Sequence, residues 1–121
     1  GIGEVDRKSF IATAGMVDDE DVDEVVQSGA CAEILGQFFT AEGRHIPNGV
    51  SQRALAPRLS DLQTHKIVAV AGGTSKTQAI RAILGSGLLH GLITDEATAR
   101  RLVNAKPGRE PGKKNGKSAP G

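Results

Sequence analysis

The 121 residues carry 15 Lys and Arg against 14 Asp and Glu, a formal net charge of +1 at pH 7, which gives no general electrostatic case for binding nucleic acid over the whole surface. The hydrophobic fraction is 38% with three Phe and neither Tyr nor Trp, so a core must be built from Val, Ile, Leu and Ala, and the length fits one small domain rather than two. The single cysteine, Cys31, excludes an intrachain disulfide and a thiolate metal cluster and makes a reducing cytoplasm the simplest compartment, while no stretch approaches the ~18 apolar residues of a membrane span.

The chain opens on Gly1-Ile2-Gly3, the kind of glycine pair that usually follows a strand; no strand precedes it here, so the chain is expected to be the later part of a longer domain. Residues 4 to 17 read as irregular or weakly helical. Asp18 can then cap a short helix with Val22, Val25 and Val26 on one face, ended by Gly29. Six acids fall in the seven residues from Asp18 to Glu24, without the alternation and glycine of a calcium loop, and so read as a solvated helix face. Ala30 to Phe39 reads as extended, Glu42-Gly43 offers a turn, and a second extended stretch is expected around Arg44 to Val50, with Pro47 and Pro57 arguing against long strands between 44 and 60.

From Thr64 the pattern sharpens. Lys66 to Ala71 is a Val-rich run bounded by Gly72-Gly73, and a helix from Ser75 to Leu84 follows, with Ile80, Ile83 and Leu84 as its buried stripe. Gly85 and Gly87 end that helix, His90 to Thr94 forms a second strand, and Asp95 to Asn104 a second helix with Ala99, Leu102 and Val103 on one face. Such a βαβα unit predicts parallel strands in an α/β fold of stacked layers, and a parallel sheet lacking further strands would expose an apolar edge and face. Residues 106 to 121, rich in Pro, Gly, Lys, Ser and Asn, read as a disordered basic tail.

The strongest chemical candidate is Gly72-Gly73-Thr74-Ser75-Lys76, because glycines after a parallel strand let backbone amides approach a ligand and the following helix presents its positive end. Lys76 in a first helical turn opposes the helix dipole, which a bound anion would offset; a plain tight turn with a solvated lysine is the alternative. The segment is not a Walker loop, since Ser75 stands where the second glycine belongs, and Thr74 or Ser75 can serve as N-cap. Glu33 lies in an apolar segment, so its carboxylate either faces solvent on an alternating strand or meets a polar partner in a pocket. Asp95-Glu96 fits the acids favoured at a helix start better than an acid/base pair, and His45, His65, His90 and Cys31 show neither metal-ligand spacing nor a local activating group.

In chain order, Gly29-Ala30-Cys31-Ala32-Glu33-Ile34, Val70-Ala71-Gly72-Gly73-x-x-Lys76-x-x-Ala79-Ile80 and Leu92-Ile93-Thr94-Asp95-Glu96-x-x-Ala99 resemble the SorC-type sugar-binding domain of bacterial transcription regulators, over residues 1 to 104 or 105. The resemblance implies a Rossmann-like three-layer α/β sandwich, similar to glucosamine-6-phosphate deaminases and ribose-phosphate isomerases and incomplete in this chain, that keeps a sugar-phosphate pocket as a sensor without catalysis, metal or cofactor. It implies a phosphorylated sugar as effector, homo-oligomers in the full-length protein, and DNA contact only through a separate reader domain that these residues do not contain. It carries Lys76 and the Gly72-Gly73 turn, with Thr74 and Ser75, onto the anionic end of the effector, Glu33 onto sugar hydroxyls, and Gly1 and Gly3 onto a glycine turn after an earlier strand. Asp95 is left between capping and pocket lining. Ala32 departs from the glycine usual at its place, which argues against a very close ligand approach there.

Overall fold

The structure is a computed structural model that describes residues 1–8 and 17–104. The basic tail from 106, and most of the stretch expected to be irregular between 4 and 17, lie outside the described residues.

The first half of the chain folds around an antiparallel sheet. Strands β1 (Gly3–Glu4), β2 (Ala32–Ile34), β3 (Gln37–Phe39) and β4 (His45–Ile46) pair in sequence order, with Gly3 opposite Glu33, Glu33 opposite Phe38, Ala32 opposite Phe39 and Phe38 opposite Ile46. Helix α1 (Asp19–Gln27) begins where expected: the Asp18 carboxylate accepts from the Asp21 amide at 2.9 Å, and Val22 and Val25 are buried. Side-chain alternation sends the two faces of β2 and β3 to different neighbours. Phe38 joins Val22, Val25 and Ala30 under α1. Ala32, Ile34 and Phe39 join Ile80, Ile83 and Ala79 on the other side.

The expected single extended stretch from Ala30 to Phe39 is broken by a two-residue hairpin turn. Leu35 (φ 50°) and Gly36 (φ 77°) both take positive φ, the combination that matches the twist of an antiparallel pair. The second extended stretch is likewise shorter than expected: it stops at Ile46, and helix α2 (Gly49–Arg53) starts in its place. The signal is Asn48, whose side chain accepts from the Ser51 amide at 2.8 Å while the Ser51 hydroxyl accepts from the Asn48 amide at 3.4 Å, a reciprocal cap. Arg53 of α2 pairs with Asp21 of α1 at 2.5 Å, and its hydrogen bond holds that carboxyl below the usual range. A further short helix, α3 (Leu59–Gln63), buries Leu62 after the Pro57 break.

The second half is the expected βαβα unit. β5 (Val68–Val70) and β6 (Gly91–Ile93) are parallel, in register Val68 to Gly91 and Val70 to Ile93. Between them come a 3-10 turn (Thr74–Lys76) and helix α4 (Thr77–Gly85), and α5 (Glu96–Asn104) follows β6. Helix α4 starts two residues later than expected, and neither Thr74 nor Ser75 caps it by a side-chain hydrogen bond. Of the expected stripe, Ile80 and Ile83 are fully buried but Leu84 is 42% exposed, because α4 packs through the Ala79, Ile80, Ala82 and Ile83 face. On α5, Val103 is 82% exposed and Thr98 takes the buried place instead.

Helix α4 lies between the antiparallel strands and the parallel pair, since Ala32, Ile34 and Phe39 of the one and Ala69 of the other share its core cluster. The parallel pair buries only that face. Val68, Val70 and Ile93 on the other are 50%, 63% and 60% exposed, the uncovered apolar face expected from the sequence. Within the described residues the fold is thus a mixed α/β assembly of a four-stranded antiparallel and a two-stranded parallel sheet.

Candidate functional site

Two of the predicted groups meet at β1. Gly3 sits opposite Glu33, and the carboxylate of Glu33 lies over it so closely that a Cβ at position 3 would stand 2.9 Å from Glu33 Oε2. A side chain at position 3 would have to displace that carboxylate. Glu33 is half-buried, and its Oε1 accepts from the Gly36 amide at 2.6 Å, so the hairpin turn fixes the orientation of the carboxylate. The polar partner of the side chain is thus the amide of its own hairpin turn. The Lys76 ammonium donates to the carbonyl of Ile2, next to Gly3, at 3.4 Å. A cation and a carboxylate from segments 43 positions apart in the numbering thus converge on one strand end, without forming an ion pair with each other among the described residues. Gly1 is exposed at the same end, with open space around its Cα.

The glycine turn is built differently from the open amide cradle that the sequence suggests. The Gly73 amide donates to Asp95 Oδ2 at 2.8 Å and to Thr98 Oγ1 at 3.0 Å. A Cβ on Gly72 would stand 2.5 Å from the same carboxylate oxygen. Asp95 also accepts from the Thr98 amide at Oδ1 and from the Thr98 hydroxyl at Oδ2, each at 2.8 Å. Asp95 is therefore the cap of α5 and at the same time the partner of the turn 22 residues earlier. The amide hydrogen bonds from Thr98 and Gly73, then the Thr98 hydroxyl, stabilise its charged form and hold its pKa down to about 2. Of the remaining predicted residues, Thr74 and Ser75 form the 3-10 turn that carries Lys76, with the Thr74 carbonyl accepting from the Thr77 hydroxyl at 2.7 Å and Ser75 exposed.

Sequence reasoning missed Thr98. The only trace of it was the spacing Asp95-x-x-Thr98, a side chain three residues past a capping acid. Two buried side-chain oxygens, Glu4 Oε1 on β1 and Thr94 Oγ1 just before Asp95, have no hydrogen-bond partner among the described residues. Both belong to segments that form this site, and buried polar atoms ordinarily find partners.

A cavity of about 470 Å³ lies elsewhere, walled by Gln37, His45, Ser51, Gln52 and Arg58 among others, and none of the predicted residues lines it. Two of its polar groups are bonded within the protein: Gln37 Oε1 meets His45 Nε2 at 2.8 Å and Gln37 Nε2 donates to the Pro57 carbonyl at 3.1 Å. Cys31 is half-buried and burial pushes its thiol up, with the Glu42 charge adding to the effect, so it has no activated nucleophile character. No group of three His, Cys, Asp or Glu able to hold a metal occurs among the described residues.

The described residues thus form a mixed α/β domain in which Lys76 reaches the Ile2 carbonyl and Glu33 lies over the neighbouring Gly3. Comparison with known proteins gives the family. The family model described as "Putative sugar-binding domain" matches residues 1–104, and the chain belongs to that family. It is 42% identical over 109 residues to the erythritol catabolism regulatory protein EryD of Brucella abortus, covering 90% of this chain and 34% of that protein. Among solved structures it is similar to a transcriptional regulator from Streptococcus pneumoniae, with TM-score 0.76 and 29% identity over 85% of this chain and 40% of that one. The full-length sorbitol operon regulator SorC from Klebsiella pneumoniae shares the fold, with TM-score 0.73 at 22% identity, covering 85% of this chain and 34% of that one. The chain spans about a third of the length of the curated relatives it matches.

Proposed function

We propose that this chain is the effector-binding part of a sugar-responsive transcription regulator and that its ligand is a phosphorylated sugar. The observation that carries the reading is the convergence of Lys76, at the Ile2 carbonyl, and Glu33, over Gly3, on one strand end. Lys76 offers a cation to an anionic group, Glu33 accepts hydrogen bonds from hydroxyls, Gly1 and the Thr74-Ser75 backbone leave room for close approach, and Gly3 makes room for the Glu33 carboxylate. Gly72 and Gly73 act by admitting Asp95, which sets the turn that presents Lys76.

No bond is made or broken in this mechanism. Effector binding shifts a population between assembly states of a cytoplasmic homo-oligomer that differ in DNA affinity, with DNA read by a separate domain. The three-layer Rossmann-like relationship to sugar-phosphate deaminases and isomerases belongs to this reading too, and the uncovered face of β5 and β6 supports it, since parallel sheets are ordinarily covered on both faces. The rival, an isomerase or deaminase half, needs a general base beside the glycine turn. Asp95, with three donors on its carboxylate and a pKa of about 2, is a poor base at neutral pH, and Glu33 is committed to its hairpin amide.

The test is a thermal-shift and calorimetric panel of sugar phosphates and their unphosphorylated partners; the Brucella relative's name puts erythritol on it, and the proposed contact of Lys76 with an anionic group adds erythritol's phosphate esters. Selective stabilisation by a phosphate ester without turnover is expected. Lys76→Ala should then weaken the phosphorylated ligand by about 1.5–3 kcal/mol and spare the neutral one. Equal loss for both ligands removes Lys76 from its role, and turnover of a phosphosugar decides for the enzyme.

A further inference from the structure

The Gly72-Gly73 turn sits at the C-terminal end of a parallel strand and leads into a helix, the setting in which free backbone amides commonly bind phosphate. In this chain the position is already filled. Asp95 Oδ2 lies 2.8 Å from the Gly73 nitrogen, the Thr98 hydroxyl lies 3.0 Å from the same nitrogen, and the space that a side chain at 72 would need holds the Asp95 carboxylate. Thr98 is fully buried, and it donates to Asp95 through both its amide and its hydroxyl, so the carboxylate is locked from two sides. Lys76, three residues on, presents the contrast. Its ammonium touches only a neutral carbonyl, that of Ile2, and no carboxylate lies within ion-pairing distance of it among the described residues.

We infer that Asp95 is a built-in anion that occupies the Gly73 amide in place of a ligand, and thereby determines specificity: that amide refuses a phosphoryl group, and the anionic end of the effector is left to Lys76. The second half of this statement rests on the effector-site reading above; the first does not. Three physical reasons support it. The Gly73 amide already serves two acceptors, Asp95 Oδ2 and Thr98 Oγ1, and a phosphoryl group brought to it would meet the like charge of the Asp95 carboxylate. The carboxylate stays ionised across the physiological range, since its donors stabilise the charged form. Departure of Asp95 would also uncap α5 and strip the Thr98 hydroxyl of its acceptor, so a ligand phosphate would have to replace three contacts at once. The same arrangement accounts for the spacing of the two motifs: Gly-Gly-x-x-Lys and Thr-Asp-Glu-x-x-Ala are two halves of one structural unit, joined through Gly73 and Asp95.

The test uses the whole chain, isotopically labelled, with inorganic phosphate as probe and the Gly73 amide resonance as readout. In the wild type that resonance should stay in place across the titration. In Asp95→Ala it should move saturably, with phosphate affinity at least tenfold above any wild-type response, because the amide and the space beside Gly72 are released. A merely structural role for Asp95 predicts weaker folding but no gained affinity. A saturable shift of Gly73 in the wild type overturns the inference, and so does an Asp95→Ala chain that folds yet leaves Gly73 silent. If Asp95→Ala gives no folded spectrum, Asp95→Ser decides by the same two criteria, since the shorter serine can keep the α5 cap while removing the charge and vacating the space beside Gly72. Failure of the sugar-phosphate panel with Gly73 gaining phosphate in the variant would retire the effector-site reading while leaving the occupied turn intact.

Discussion

Gly43→Ala is expected to be among the most damaging single-methyl additions in this chain. Gly43 closes the turn between β3 and β4, with φ 83° and its amide donating to the Thr40 carbonyl at 2.9 Å. A Cβ there would meet Gly85 C and Ser86 N at 2.6 Å and Ala82 O at 2.8 Å, all backbone at the C-terminal end of α4. Two costs add. The left-handed conformation costs an L-residue about 1–2 kcal/mol. The contacts fall well inside the ~3.5–4.0 Å optimum for carbon, and because the opposing atoms are backbone the turn must lift off the helix, an overpacking cost of about 1–3 kcal/mol. The sum, about 2–5 kcal/mol, is a large part of the ~5–15 kcal/mol that stabilises a typical domain. Gly29→Ala supplies the internal control: its φ is also 83° but nothing lies within 4 Å of its Cβ, so only the conformational cost of about 1–2 kcal/mol applies. Urea denaturation of the two variants beside the parent measures the difference, with unchanged m-values certifying the comparison. If the two variants lie within ~0.5 kcal/mol of each other, the close approach of the turn to α4 is not the constraint described here.

Leu35→Asn should stabilise the chain by about 0.5–1 kcal/mol, because the exposed Leu35 holds φ 50° in a two-residue hairpin turn where Asn-Gly is preferred; a lower urea midpoint would contradict the turn assignment. Thr98→Val keeps the volume of a fully buried side chain but removes its donor to Asp95 and its acceptor for Gly73, and should cost about 1–3 kcal/mol by the same assay; neutrality would detach Thr98 from the turn. Acid should weaken the fold in a defined window. Asp95 has a folded pKa of about 2 against an ordinary 3.8, so its contribution is complete above about pH 4 and is lost as the pH falls toward 2, where the unfolded chain binds a proton that the folded chain does not. Asp21 and Glu42, also lowered, act in the same direction, and Asp95→Asn should flatten the melting-temperature profile between pH 4 and 2; an unchanged slope would refute the assignment.

The parts of the fold legible in the sequence are those where one local rule dominates. Asp18 followed by valines at helical spacing gave α1, and the apolar run before Gly72-Gly73 gave β5, because capping and periodicity act over a few residues. Leu35-Gly36 was not legible because leucine is an unusual occupant of a positive-φ position, held there by the pairing of β2 with β3. Helix α2 was obscured by Pro47, although Asn48 and Ser51 carry its cap. Val103 and Leu84 have the spacing of buried residues and are not buried, since the face a helix turns inward depends on what packs on it. For the proposed site, Lys76 and Glu33 stand out in the sequence, while their approach to β1 depends on the pairing of Gly3 with Glu33 and on the reach of Lys76 to Ile2, which no local pattern encodes. The occupant of the glycine turn lies 22 residues away, and the sequence leaves it between helix capping and pocket lining; its contact with Gly73 is a tertiary fact.

The exposed side chains of the parallel strand pair also bear on how this chain behaves in bulk. Val68, Val70 and Ile93 form an apolar stripe on a sheet of two strands, each with one edge free of a neighbour among the described residues. A net charge of +1 supplies little colloidal repulsion to keep two such stripes apart. Self-association should therefore rise steeply with protein concentration, respond weakly to ionic strength, and strengthen on warming toward room temperature, as hydrophobic contact does and charge pairing does not.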